Sequence, residues 1–225
     1  MDVMELMRAR HSVRAYESRP VEEEKAALLE AEIAACNAES GLRLQAVFGE
    51  KEAFSSAMAK YGKFSGVENY IAVIADRGGK EASERAGYYG ERIVLKAQEL
   101  GLNTCWVAMT FSKGRAKKFA SVQKGEKLIC AIALGYGKTQ GVPHKSKPLE
   151  KVISAPENAP GWFVRGAEAA LLAPTAMNGQ KFLFTLLPEG RVRAQSSGFY
   201  AALDRGILKY HFELGAGKEN FRWEE

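Results

Sequence analysis

A chain of 225 residues, 46% hydrophobic and 10% aromatic, can bury a sizeable core, which excludes a disordered tail and predicts one compact domain or one domain with a substantial extension. Its 32 basic and 27 acidic residues are interspersed, so the net charge of +5 attracts polyanions without forming a block of one sign, and no nucleic-acid partner is expected. Cys36, Cys105 and Cys130 are widely spaced with no C-x-x-C pair, which argues against a zinc site or a disulfide framework and fits a reducing cytoplasm. No metal is expected. The start MDVMELMRAR lacks the apolar core of a signal peptide, and no later apolar run approaches bilayer-spanning length, so the expectation is a soluble, cytoplasmic chain with no membrane partner.

Asp2 caps a predicted helix through residue 9, with Val3, Leu6 and Met7 at helical spacing. Where it ends stands Arg10-His11-Ser12-Val13-Arg14-Ala15-Tyr16. Three cations and a hydroxyl donor in an extended segment, with Arg10, Ser12 and Arg14 at alternate positions, make a compact anion site suited to phosphate. Pro20 and an acidic first turn, Glu22-Glu23-Glu24, open a second helix to Cys36. Residues 42–48 alternate as a half-buried strand, a helix is predicted over Ala53 to Tyr61, and Tyr70 to Ala75 reads as a strand buried on both faces, ended by Asp76-Arg77-Gly78-Gly79. The strongest helical pattern runs from Ala82 to Leu100 and stops at Gly101.

Asn103 to Ala108 is a short strand leading to Met109-Thr110-Phe111, and Ser112 caps a basic helix through Val122. Leu128 to Leu134 is a buried strand closed by Gly135-Tyr136-Gly137. That pair of glycines is not a dinucleotide fingerprint, because the third position falls on Gln140 and a proline-containing loop follows, not a helix. The segment from Pro148 to Pro160 reads as a linker. A helix over Trp162 to Leu172 ends in Ala173-Pro174-Thr175-Ala176-Met177-Asn178-Gly179-Gln180, and the strand Phe182 to Leu186, a turn at Pro188-Glu189-Gly190 and a helix from Phe199 to Gly215 complete the chain. His211 on that last helix reads as a helix-surface or packing residue.

The Arg10 to Tyr16 run resembles the amino-terminal signature of FMN-dependent nitroreductases, R-[RH]-S-x-[RK]-x-[FY], and A-P-[ST]-x-x-N-x-Q before an aromatic strand is a second hallmark of that family. The resemblance implies an α+β nitroreductase-like fold, a central, mainly antiparallel sheet flanked by helices. It implies FMN as cofactor, with Arg10, His11 and Ser12 at its phosphate and ribityl side, joined by Lys145 and Lys147, and with Arg14 near the pyrimidine edge as a charge stabiliser. Pro174, Thr175, Ala176 and Asn178 would meet the isoalloxazine, and the backbone at Met109 and Thr110 its N5 and O4 side; no acid–base side chain is named. NADH or NADPH is the implied electron donor, and a nitro compound, quinone or similar small molecule the acceptor. Here the proline motif lies in the C-terminal half instead of after the second helix. Residues 1–153 therefore read as a first unit and 161–225 as an abbreviated second one, fused into one compact domain that is a monomeric pseudo-dimer or forms a homodimer. The alternatives are a flavin carrier or sensor without efficient turnover and, further off, a flavin-free basic protein that binds nucleic acid.

Overall fold

The computed structural model describes residues 2–76 and 79–224, so Arg77 and Gly78 of the predicted turn lie outside the described residues. Helix α1 (Val3–Ala9) begins in a reciprocal capping box between Asp2 and Glu5 and buries Met7. Helix α2 (Glu23–Ser40) runs a turn past its predicted end at Cys36. The extra turn is held by Asn37, whose side-chain amide bonds both backbone groups of Leu44 at 2.7 and 2.9 Å, and by Ser40, which donates to Cys36 O at 2.6 Å. Strand β1 (Arg43–Val47) follows. The predicted Ala53 to Tyr61 helix shortens to α3 (Ala57–Tyr61), because the Glu50 carboxylate accepts from the Ala53 N–H and folds residues 50–53 into a turn.

Strand β2 (Asn69–Asp76), helix α4 (Gly79–Glu99), strand β3 (Asn103–Val107), helix α5 (Lys113–Phe119) and strand β4 (Glu126–Gly135) complete the first half. Its sheet has the order β1-β2-β4-β3, antiparallel throughout. As predicted, β2 is buried on both faces. Ile71 and Val73 face α2 and α4, while Tyr70, Ala72 and Ile74 face an aromatic cluster of Phe54, Phe64 and Phe111. Removing that much apolar surface from water is what holds the sheet between its two helical layers.

The predicted linker at 148–160 is a correction: it contains a helical turn and β5 (Ile153–Ser154), which pairs in parallel with β6 (Phe182–Leu187) beyond helix α6 (Gly161–Leu171). The sequence reading also passed over β7 (Arg191–Ser196), which forms a hairpin with β6, and over β8 (Arg222–Trp223), which follows helix α7 (Ala201–Ala216) and lies parallel to β7. These strands make a second sheet, β5-β6-β7-β8. The segment read as a linker thus supplies one strand to the second sheet.

Helices α4 and α7 cross at two glycines. A Cβ on Gly87 would come within 3.0 Å of Leu203 O, and one on Gly206 would do the same to Glu84 O. Each glycine faces the carbonyl three residues before the other, so the crossing has local two-fold symmetry. Only residues without a side chain permit backbones this close.

Candidate functional site

The bend after α1 is built by Arg10, which closes the helix with its own N–H on Leu6 O and then turns to extended backbone. From there the chain lies along the edge of the first sheet. Ser12 bridges Thr104, Ala15 bridges Ser65 and Tyr16 bridges Gly137, while the buried Tyr16 hydroxyl donates to Val13 O at 2.7 Å. Ser12 and Arg14 are exposed on one side of this segment and Val13 is buried on the other, the alternation that extended backbone dictates. Arg14 lies over the Phe64 ring at 5.9 Å, and a Cβ on neighbouring Gly62 would sit 2.5 Å from the Thr110 side chain, so Arg14 and the Met109-Thr110 corner belong to one edge of the site.

Arg10 turns the other way, and its residue is only 3% exposed. Its Nη2 donates to Leu172 O at 3.3 Å, its Nε lies 3.9 Å from a Glu91 carboxylate oxygen, and that Nε has no hydrogen-bond partner. Burial draws the guanidinium below its ordinary pKa, with the Glu91 charge opposing.

Leu172 is the cap residue of α6, and the last carbonyls of a helix have no partner within it and carry the negative end of its dipole. Several donors converge there. His144 Nε2 is 2.9 Å and Ser146 Oγ 3.2 Å from Leu171 O, and His211 Nδ1 is 3.1 Å from Ala169 O. A carbonyl only accepts, so each of these ring nitrogens carries a hydrogen. His11 is close by, since a Cβ on Gly141 would stand 2.7 Å from its own Cβ; partial burial first, then the Arg10 and His144 charges, push its pKa down.

Beyond the α6 cap, the proline turn is held in a shape that non-glycine residues rarely adopt. Met177, Asn178 and Gln180 have φ of 56°, 51° and 44°. Asparagine tolerates this region, methionine less readily. The turn is fixed from several directions. The Ala176 N–H donates to the Asp204 carboxylate at 3.0 Å, the Gln180 N–H to Thr175 Oγ1 at 3.1 Å, and the Asn178 N–H to Thr175 O at 2.9 Å. Burial raises the Asp204 pKa to about 6, the Ala176 N–H opposing. The basic loop is tied to the same turn: Asn178 Nδ2 donates to Lys145 O at 3.1 Å, Gln180 Nε2 to Lys145 O at 2.8 Å, and Lys147 Nζ to Gln180 O at 2.8 Å.

The structure therefore brings Arg10, His11, Lys145, Lys147 and the turn Pro174 to Asn178 together around the end of α6, and sets Ser12, Arg14, Met109 and Thr110 along the adjoining sheet edge. The Asn178 and Lys147 side chains, both named from sequence, are engaged within the protein. Sequence reasoning missed His144, Gln180 and Asp204 as builders of the site, and Glu91, Trp106 and His211 beneath it. Glu91 carried a signal: it shares the inward stripe of Gly87, Val94 and Ala97 on α4, where a charge needs a buried partner. An open depression of about 420 Å³ between α4 and α7, with Tyr88, Lys209 and Glu213 among its lining, lies apart from this cluster.

The α+β scaffold that holds this cluster is the nitroreductase fold. A crystal structure of a putative nitroreductase from Thermotoga maritima superposes with a TM-score of 0.65 at 23% identity, over 97% of this chain and 85% of that one. A putative nitroreductase in complex with FMN from Desulfovibrio desulfuricans gives 0.53 at 21% identity, over 67% and 94%. A putative NADH dehydrogenase/NAD(P)H nitroreductase from Bacteroides thetaiotaomicron gives 0.52 at 24%, over 66% and 94%. No curated protein is significantly similar to the chain. The family described as "Putative TM nitroreductase" matches residues 2–216, and the chain belongs to it.

Proposed function

We propose that the protein is an FMN-dependent oxidoreductase whose single chain builds one flavin site. Bound FMN supplies the electron carrier, taking two electrons from NADH or NADPH and yielding them to a nitro, quinone or similar small acceptor. The observation that carries this reading is Arg10: a guanidinium 3% exposed with a partnerless Nε, standing among His11, His144 and the basic loop, is a cation still short of an acceptor. A phosphate monoester supplies several strong acceptor oxygens at once.

On this reading Arg10, His11, Ser12, Lys145 and Lys147 hold the phosphate and ribityl side. Pro174, Thr175, Ala176 and Asn178 pack along the ring and exclude water from it. Arg14 stabilises negative charge at the pyrimidine edge, and the Met109-Thr110 backbone faces the opposite edge. Ordinary nitroreductases build each site across two subunits. Two features support the fused arrangement proposed here: neighbours matched almost whole account for only two thirds of this chain, and the α4–α7 crossing has the two-fold relation a subunit interface would have. Cys36, Cys105 and Cys130 are free and buried, which fits a reducing, cytoplasmic setting. No described helix is long and apolar enough to cross a membrane.

The test is the absorbance spectrum of the purified protein. A flavin spectrum, one FMN per chain on release, and bleaching by NADH or NADPH under anaerobic conditions are expected, with reoxidation by a nitroarene or quinone. A yellow protein that does not bleach would be a flavin carrier, and a chain that cannot be loaded with FMN would end the assignment.

A further inference from the structure

Glu91 and His211 are fully enclosed on facing sides of α4 and α7 and are not among the residues assigned to FMN above. A buried carboxylate is costly unless paired and hydrogen-bonded. Trp106 Nε1 donates to Glu91 Oε2 at 2.7 Å, His211 Nε2 lies 2.9 Å from Oε1, and Arg10 Nε lies 3.9 Å from the same Oε1. The indole reaches across α4 at Gly90, where any Cβ would collide with its ring.

The hydrogen-bond directions place a proton. His211 Nδ1 carries a hydrogen because its partner is Ala169 O. With that tautomer and no further proton, Nε2 and Oε1 would face each other with lone pairs at 2.9 Å, a repulsive arrangement. One proton therefore lies between them. Whether it is drawn nearer to nitrogen or to oxygen, the Glu91–His211 pair is neutral as a whole. The carboxylate beside Arg10 thus has its charge already matched from the other side, and Arg10 keeps a net positive charge with its Nε short of an acceptor.

We infer that His211 is a positioning residue that acts through Glu91: by keeping a proton on the Glu91 side of the pair, it stops Glu91 from closing into a full ion pair with Arg10 and leaves the guanidinium for a phosphate. This rests on the FMN reading and deepens it. His211 touches no part of the cofactor, so the effect falls on the phosphate and not on the ring.

The experiment titrates FMN and riboflavin into flavin-free protein by fluorescence quenching, for the wild type, His211→Gln, Glu91→Gln and the double variant, with circular dichroism to confirm folding. His211→Gln leaves Glu91 as an uncompensated carboxylate that captures Arg10, and is expected to weaken FMN about tenfold or more while riboflavin moves by less than about threefold. Glu91→Gln keeps every bond, since its Oε1 accepts from Trp106 and its Nε2–H donates to His211 Nε2, and it keeps the net charge; FMN affinity should stay within about threefold of wild type. The double variant, again without a buried carboxylate, should recover the FMN affinity that His211→Gln loses.

Unchanged FMN affinity in His211→Gln, equal losses for FMN and riboflavin, or a loss in Glu91→Gln as large as in His211→Gln would overturn the inference. Should His211→Gln fail to fold, Glu91→Gln still decides, because a shift of more than about tenfold in either direction contradicts a neutral pair. A wild type that binds neither flavin brings down the FMN reading and this inference together. A wild type that binds FMN, with variants departing from this pattern, brings down the inference alone.

Discussion

Gly87→Ala tests whether the two halves are joined as tightly as a subunit interface. A methyl group there would stand within 3.0 Å of Leu203 O, against a backbone that cannot rotate away as a flexible side chain could, and Gly206→Ala meets Glu84 O in the same way. Relief requires α4 and α7 to separate by about an ångström, and overpacking of this kind costs roughly 1–3 kcal/mol, occasionally more. Because the obstruction is backbone, the upper end applies; alanine's better helix propensity returns about 1 kcal/mol. The expected net loss is about 2 kcal/mol, read by urea unfolding followed by circular dichroism. One separation of the helices relieves both clashes, so the double variant should lose clearly less than the sum of the two. Gly114→Ala in α5 is the control: its Cβ meets open space, and it should stabilise by about 0.5 kcal/mol. Equal stability of Gly87→Ala and wild type, or full additivity with Gly206→Ala, would refute a close symmetric crossing.

The Asp204 carboxyl, raised from 3.8 to about 6 by burial, holds its proton more tightly in the folded state than in the unfolded chain. Its contribution is therefore full below about pH 4 and is lost as pH rises toward 6, on the order of 2–3 kcal/mol in all. Asp204→Asn keeps an acceptor for the Ala176 N–H and should flatten stability across that window, leaving the variant the more stable at pH 7; an unchanged pH profile would show that Asp204 is not the group responsible. Tyr16→Phe removes the hydroxyl that donates to Val13 O at 2.7 Å inside the clamp bend and should cost about 1 kcal/mol. Faster amide exchange at Val13 and Tyr16, without change in β2, would place the loss in the bend, and uniform loosening of the sheet would argue against it.

Much of the first half was legible because single signals sufficed there. Asp2, the unbroken apolar run of β2 and Gly101 each name a local structure with a local cause. The α2 extension was hidden because its last turn is held by Asn37 and Leu44 across the following corner, a contact that helical periodicity does not contain. Strands β5 and β8 contribute two residues each and exist only through parallel pairing with β6 and β7, which is tertiary. Strand β7, Arg191-Val192-Arg193-Ala194-Gln195-Ser196, does alternate, but only Val192 is fully buried and the polar residues between mask the pattern. The two motifs were legible as an extended basic segment and a proline turn, whereas the direction of Arg10 was not: counting by twos put it on one face with Ser12 and Arg14, which are exposed, and the end of α1 turns it inward.

That turn inward follows from where α6 stops. A helix C-terminus leaves acceptors without donors, and this one lies inside the protein, where they must be answered. The answering groups on Leu172 O and Leu171 O come from the end of α1 and from the basic loop, while His211 of α7, a helix that packs on α6 through Phe212 and Ala216 against Gly166, adds a second donor to Ala169 O, which already accepts from the Leu172 N–H. Each of them brings a positive or proton-bearing group to the same place, so the one structural need also concentrates cations beside the proline turn. Arg10 answers one of these carbonyls, Leu172 O, and keeps its Nε without a partner, and on the function proposed above that spare capacity is what an anionic ligand would use.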